Sequence, residues 1–189
     1  MSAYFRVKKF FVPVLAVVSF LFIAACSFQE PEPVPFTLDS LREDSGEYRF
    51  PGFSWNSSQE SVTASVKGVE TGGSSLDGSR EYMTDQTYEL NGFAASAELV
   101  FYHGKLGDIC FSFAPGEDGK EWYAGLLQEL TELYGEPESF QKPSSIQGAE
   151  ASEEHRWTTE KTGLQLTGRT SGKTAYVELK LFSRDVAKW

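Results

Sequence analysis

Residues 81–102 read EYMTDQTYELNGFAASAELVFY, and this stretch decides the fold. Two segments of alternating pattern flank Asn91-Gly92, a dipeptide typical of two-residue hairpin turns because both turn positions need a positive φ. Successive side chains of a strand point to opposite faces of the sheet. Pairing across the turn therefore predicts a hairpin with one apolar face, formed by Tyr82, Tyr88, Ala95, Ala97, Leu99 and Phe101.

A third strand is predicted directly after the hairpin. The next turn lies around His103-Gly104-Lys105, and residues 106–113 continue the alternation. We expect Leu99 to lie opposite Ile109, so that the third strand extends the same apolar surface. In this register the strand adds Ile109, Phe111 and Phe113 to the apolar face, and its Cys110 and Ser112 point the other way.

The clearest helix follows the third strand. Asp118 and Glu121 have the spacing of a capping box, and Gly135 and Pro137 mark the helix end. The apolar residues between them recur with helical period and form one stripe: Trp122, Leu126, Leu127, Leu130, Leu133 and Tyr134.

Shorter elements are predicted before the hairpin. Residues 50–55 have the composition of a short strand, and Ser57 with Glu60 predicts a capped small helix. Gly68 is suited to end that helix in a left-handed conformation. Residues 69–80, rich in glycine and serine, predict a loop.

The C-terminal part repeats the order of a helix followed by antiparallel strands. A polar loop over residues 138–153 leads to a strand pair with Ser171-Gly172 as its turn. That turn places Leu166 opposite Val177 and Leu164 opposite Leu179. The predicted order is β-α-βββ-α-βββ, an α+β fold of two helix-plus-antiparallel-sheet units with the helices packed on one face of the sheet.

The N-terminal segment is different in kind. Residues 6–28 read RVKKFFVPVLAVVSFLFIAACSF, a basic lead followed by an apolar run of 16 residues from Phe10 to Ala25. The run is shorter than the ~20 residues that a membrane-spanning helix needs. A basic lead, a short apolar run and small residues at its end are the layout of a secretory signal. An uncleaved N-terminal anchor is the alternative.

Ile23-Ala24-Ala25-Cys26 resembles the lipobox of bacterial lipoproteins. The resemblance implies cleavage between Ala25 and Cys26 and a diacylglyceryl group on the Cys26 sulfur, often with an N-acyl chain such as palmitate. Two or more acyl chains give stable membrane anchoring. The expected organisation is a signal peptide over residues 1–25, a lipidated cysteine with a proline- and acid-rich tether over 26–47, and a single α+β domain over 48–189.

Composition limits the partners. Without residues 1–25 the chain has 14 basic and 27 acidic residues, a net charge of −13. This acidity argues against nucleic acid, which requires a basic surface, and against adsorption on anionic lipid. It is typical of a soluble extracellular domain, and a cationic partner is the less favoured interpretation.

No catalytic residue, metal site or cofactor is predicted. His103 is expected at a hairpin tip and His155 at the start of a strand, and their spacing offers no zinc site. Once Cys26 is acylated, Cys110 has no disulfide partner, and it is interpreted as a strand thiol rather than a nucleophile. Trp122, Tyr123 and Trp157 are interpreted mainly as core, with a recognition patch as the alternative.

A second resemblance concerns the domain. The order Leu133-Tyr134-Gly135-Glu136-Pro137, then Trp157, then the strand 177–181 resembles small outer-membrane-assembly lipoproteins of the SmpA/BamE type and β-lactamase-inhibitor-like helix-plus-sheet modules. The first unit faintly matches the start of such a module, at Gly52, Trp55, Ser58, Glu60 and Val62. The resemblance implies a non-catalytic binding or scaffolding role.

The sequence therefore predicts an extracytoplasmic lipoprotein, anchored to a bacterial membrane or cell surface, that acts as a binding or scaffold module. Its expected partners are membrane lipid through acylated Cys26 and another envelope protein. Two alternatives remain open: a surface-anchored hydrolase with an unrecognised site, and a protein inhibitor or sensor.

Overall fold

The structure is a computed structural model that describes residues 32–72, 78–142, 152–171 and 174–186. All of them belong to one compact unit, residues 31–189. The predicted signal peptide, Ala25 and Cys26 lie outside the described residues. The strands are β1 (Val34–Pro35), β2 (Gly68–Glu70), β3 (Ser79–Leu90), β4 (Phe93–Tyr102), β5 (Lys105–Gly116), β6 (Glu138–Lys142), β7 (Ser152–Thr158), β8 (Thr162–Ser171) and β9 (Thr174–Ser183). The helices are α1 (Gln59–Thr63) and α2 (Gly119–Tyr134), with a 3-10 turn at Asp39–Leu41.

The strands form one mixed sheet of nine strands in the described part of the chain. Eight of them follow the order β1-β3-β4-β5-β9-β8-β7-β6, and β2 also pairs with β3. Strand β1 runs parallel to β3, and the other pairs are antiparallel. The α+β class agrees with the prediction, but the layout is one continuous sheet joined through β5 and β9 rather than three strands in each unit.

The central hairpins are confirmed. Asn91 and Gly92 have φ values of 50° and 84°, as a type I′ turn requires, and they connect β3 to β4. His103 and Gly104 form a second turn with φ values of 49° and 75°. Leu99 lies opposite Ile109, as predicted.

The core covers one face of the sheet, called here the inner face. From Ala95 to Phe113 the inward residues of β4 and β5 are at most 2% exposed, and α2 packs Leu126 and Leu130 onto the same cluster. The α2 stripe is confirmed at these two positions and at the half-buried Trp122, Leu127 and Tyr134, which also pack against the core, whereas Leu133 is 41% exposed. Gly135 ends α2 with a φ of 87°, but Asp118 has helical backbone angles and makes no capping hydrogen bond, so the predicted capping box is wrong.

The folded domain begins earlier than the sequence predicts. Strand β1 pairs with β3, and Leu38 and Leu41 are 1% and 0% exposed within the core. The Tyr134 hydroxyl donates a hydrogen bond to the Leu38 carbonyl. The expected tether over residues 26–47 is therefore wrong from residue 34 onward. Apolar residues between the prolines and acids of this segment cover the inner face of the sheet.

The region before the first hairpin also differs. Residues 50–55 form turns rather than a strand, with the Phe53 N–H donating to the Phe50 carbonyl. Ser58, not Ser57, caps α1 by accepting from the Ser61 N–H at 3.2 Å. Gly68 begins β2 instead of ending a helix, so part of the predicted loop over 69–80 is a strand on β3. Position 68 requires glycine, because a Cβ added there would lie 2.1 Å from the Met83 carbonyl oxygen and clash with it.

The C-terminal strands differ in two respects. Residues 138–142 and 152–153 of the predicted loop are paired strand, in β6 and β7. In the β8–β9 pair, Leu166 lies opposite Leu179 and Leu164 opposite Leu181, a shift of two residues from the predicted register. Because side chains alternate with a period of two, this shift leaves the same residues facing the core.

Candidate functional site

The outer face of the sheet carries a continuous row of polar side chains. Six strands each contribute one residue, and neighbours in the row are register partners. These positions alternate with buried residues, so they point away from the core. The row, called here the polar row, consists of Glu98, Cys110, Lys180, Gln165, Arg156 and Glu138.

A buried ion pair occupies the middle of the outer face. The Lys180 Nζ lies 2.7 Å from Asp108 Oδ2, with side-chain exposures of 17% and 1%. Tyr102 donates its hydroxyl hydrogen to the same oxygen at 2.9 Å. Burial alone lowers the pKa of Lys180, but the Asp108 charge and hydrogen bond outweigh it, so the net pKa is raised. Lys180 is therefore a fixed positive charge at neutral pH.

Arg156 is held beside this ion pair. Its Nε and Nη2 donate to Gln165 Oε1 at 3.2 and 2.9 Å, and Gln165 Nε2 donates to Thr167 Oγ1. The guanidinium carbon lies 5.3 Å from the Phe140 ring centroid and 5.9 Å from that of Phe182. The two cation–π contacts and the two hydrogen bonds to the Gln165 amide oxygen together restrict the orientation of the guanidinium.

These residues line a cavity of about 630 Å³, called here the outer groove. Its lining consists of Glu138, Arg156, Thr158, Gln165, Lys180, Phe182 and Arg184. Phe182 is 6% exposed and forms the apolar part of the lining. Its ring covers Gly163, where an added Cβ would lie 2.2 Å from the ring, so glycine is required for this packing.

The predicted aromatic recognition patch does not form as a unit. Trp157 is 4% exposed, and its Nε1 donates to the Gly135 carbonyl at 2.7 Å, so this residue is core, as mainly interpreted, and the alternative of a patch fails for it. Trp122 is half-buried and packs against the Phe93 and Phe113 rings at 4.7 and 4.9 Å. Tyr123, also half-buried, packs instead onto Gly168 at the other side of α2.

The two histidines and Cys110 lie on three different elements: the β4–β5 turn, β5 and β7. His103 is exposed in the β4–β5 turn, as predicted. Cys110 lies in the polar row, and burial raises the pKa of its thiol well above the ordinary value, so the nucleophilic thiolate is disfavoured. His155 lies in β7, and its Nδ1 is 2.9 Å from Ser139 Oγ.

The Ser139–His155 pair was missed from the sequence because β6 lies in the predicted loop. Burial lowers the pKa of His155, and the nearby Glu153 charge opposes this effect. The buried His155 Nε2 has no hydrogen-bond partner in the described part of the chain. The pair thus lacks the orienting carboxylate of a catalytic triad at that nitrogen.

The described residues contain neither a metal-binding cluster nor a membrane-spanning helix. No group of three or more His, Cys, Asp or Glu side chains within residues 32–72, 78–142, 152–171 and 174–186 could hold a metal ion. Within the same ranges, no helix has the length and apolarity to cross a bilayer.

Comparison with known proteins finds no matching family model and no significantly similar curated protein or solved structure.

Proposed function

We propose that this chain is a lipid-anchored extracytoplasmic protein whose domain is a non-catalytic binding module, with the outer groove as its binding site. The observation that carries the binding role is the fixed Arg156 guanidinium beside the Lys180–Asp108 pair in a groove of about 630 Å³. Small-molecule sites typically have volumes of ~300–1,000 Å³ and a few fixed polar groups. The helix–Trp–hairpin resemblance to envelope lipoproteins agrees with this role.

The anchor is proposed from the Ile23-Ala24-Ala25-Cys26 motif. Glu32, the first described residue, is six positions after Cys26. Six residues span at most about 20 Å when fully extended. Acyl chains on Cys26 would therefore hold the domain close to the lipid surface, and not on the long stalk that the composition suggests.

The anchor is tested by expressing the full chain in a bacterium that processes lipoproteins. We expect mass spectrometry to show removal of residues 1–25 and acyl chains on Cys26, with the protein in the membrane fraction. Cys26→Ser should abolish lipidation, whereas Cys110→Ser, which changes the other cysteine, should retain it. A mature protein that still carries residues 1–25, or an unmodified Cys26, would contradict the proposal.

A surface-anchored hydrolase is the second candidate, favoured by the Ser139–His155 contact alone. In this alternative His155 takes the proton of the Ser139 hydroxyl as it attacks an ester or amide carbonyl. The measurement is hydrolysis of a panel of activated esters by the wild type and by Ser139→Ala. Turnover that disappears in Ser139→Ala but persists in Ser40→Ala, an exposed serine outside the pair, would favour the hydrolase over the binding module.

A further inference from the structure

Most of the charged side chains that line the outer groove are cationic, although the chain as a whole is acidic. The whole sequence has a net charge of −10, yet the groove lining has three cationic side chains, Arg156, Lys180 and Arg184, and one acidic side chain, Glu138. Part of this charge is matched locally, since Lys180 pairs with Asp108 and Arg156 lies 4.0 Å from Glu154. The groove therefore places a mainly cationic lining on an acidic protein.

The guanidinium groups retain donors for a ligand. Arginine has five N–H donors in a planar fork. Arg156 uses Nε and Nη2 on Gln165, and no acceptor in the described ranges binds its Nη1. Arg184 donates from Nη1 to the Thr159 and Glu160 carbonyls at 2.6 and 3.4 Å, and its Nε and Nη2 likewise have no acceptor there. Both side chains are thus positioned by bonds that leave part of each fork available.

The groove also offers apolar surface. The Phe182 ring lines it, and the Phe140 ring, at 42% exposure, contacts the Arg156 guanidinium with its centroid 5.3 Å away. Aromatic rings contribute much of the contact energy in binding sites. A ligand that has an anionic group for the arginines and an apolar body for the rings would satisfy both parts of the lining.

We infer that the outer groove binds a small amphipathic anion, a carboxylate or phosphate group attached to an apolar or aromatic body. Arg156 binds the anionic group through the part of its fork that Gln165 leaves available, Arg184 supplies a second positive charge, and the phenylalanine rings contact the body. Bidentate arginine–carboxylate and arginine–phosphate contacts are among the strong hydrogen bonds of proteins. This inference rests on the proposed binding role and names its ligand class.

The experiment is calorimetric titration of the full chain in detergent with three probes. N-acetylphenylalanine supplies a carboxylate, phenyl phosphate a phosphate, and N-acetylphenylalanine amide the same aromatic body without charge. We expect at least one anionic probe to bind at least about ten-fold more tightly than the amide, which corresponds to about 1.4 kcal/mol. The anionic probe that binds more tightly shows whether the groove prefers a carboxylate or a phosphate group.

Arg156→Gln should weaken binding of the anionic probe by about ten-fold or more. Arg156→Lys should restore only part of it, because lysine keeps the charge and loses the fork. The matched control is Arg80→Gln, the same change in an exposed β3 arginine that pairs with Glu70. Far-ultraviolet circular dichroism and the melting temperature of each variant show that it remains folded.

Equal losses in Arg156→Gln and Arg80→Gln, or no binding of either anion at 20 mM, would overturn the inference. Equal affinity for the anions and the amide, lost in Phe182→Leu, would overturn it too, but would leave the groove as a binding site. The lipidation measurement is independent of all these outcomes, so a failure of the anchor is distinguishable from a failure of the ligand class.

Discussion

At the residue scale, Glu47 ties the N-terminal segment to the turn between β7 and β8. Its carboxylate accepts hydrogen bonds from the Thr159 and Thr162 hydroxyls, the latter at 2.6 Å. Thr162, 3% exposed, in turn accepts the Tyr48 N–H at 2.7 Å. Burial raises the pKa of Glu47, but the two hydroxyl bonds and the Lys161 N–H outweigh it, so the net pKa is lowered from 4.5.

A lowered acid pKa gives a defined pH dependence. The stabilisation by Glu47 is complete above its unfolded pKa and is lost as the pH falls through its lower folded pKa. We expect Glu47→Gln to have a lower melting temperature than the wild type at pH 7, with a difference that shrinks as the pH falls below 4.5. The measurement is thermal unfolding between pH 3 and pH 7.

The control for this experiment is Glu136→Gln, the same change in an exposed residue after α2. It should leave the pH profile of the melting temperature unchanged. A constant difference between Glu47→Gln and the wild type over the whole pH range would contradict the assigned role of the Glu47 carboxylate.

At the element scale, the segment from β1 to the 3-10 turn belongs to the core. Phe36 packs on Phe50 and Phe111 with ring centroids 5.2 and 5.0 Å apart, and Leu38 and Leu41 are almost fully buried. The segment covers inward residues that α2 leaves exposed. It is therefore a structural element, although its prolines and acids are typical of a linker.

Truncation of this segment's side chains tests its role. We expect Leu38→Ala to lower the free energy of unfolding by about 2–5 kcal/mol, the usual cost of removing a buried leucine side chain. Val34→Ala, a change in the same segment at a side chain with 41% exposure, should cost less than about 1 kcal/mol. The measurement is urea unfolding of the full chain in detergent, and equal small effects of both changes would indicate a tether.

The sequence predicted elements whose signals are local. Asn91-Gly92 has the turn chemistry that its backbone angles require, and the α2 stripe shows its period within one helix. The polar row was not predictable in the same way, because it needs the correct register of β8 with β9. The predicted register places Gln165 opposite Glu178, whereas the structure pairs Gln165 with Lys180. Register between strands depends on the turn and on packing of the pair, and a two-residue shift is invisible to the hydrophobic pattern.

At the scale of the whole molecule, the two halves of the chain share one sheet and one core. Strand β5 of the first half pairs with β9 of the second, with Phe111 opposite Leu179. Both side chains are fully buried in a cluster that contains residues of β3 to β5 and of β7 to β9. Two helix-plus-sheet units that unfold separately are not expected from this arrangement.

Native-state hydrogen exchange tests the cooperativity. The most protected amides of β4 and β8 should open with the same free energy, which is that of global unfolding. We expect Leu179→Ala to lower protection in both strands by the same amount, about 2–5 kcal/mol. Reduced protection in β8 with unchanged protection in β4 would show that the halves unfold independently.

The sequence by itself determined the local features of this protein: the two hairpin turns that flank β4, the helix and its end, the alternation that separates an apolar from a polar face, and the acidic charge. The lipid anchor stays a prediction from the Ile23-Ala24-Ala25-Cys26 motif. Only the tertiary structure decided that residues 34–47 complete the core, that the described strands join in one sheet, and that Arg156, Gln165 and Lys180 become neighbours. These outcomes depend on contacts between residues far apart in the chain, and no short-range pattern specifies which distant strand edge or apolar surface a segment will cover.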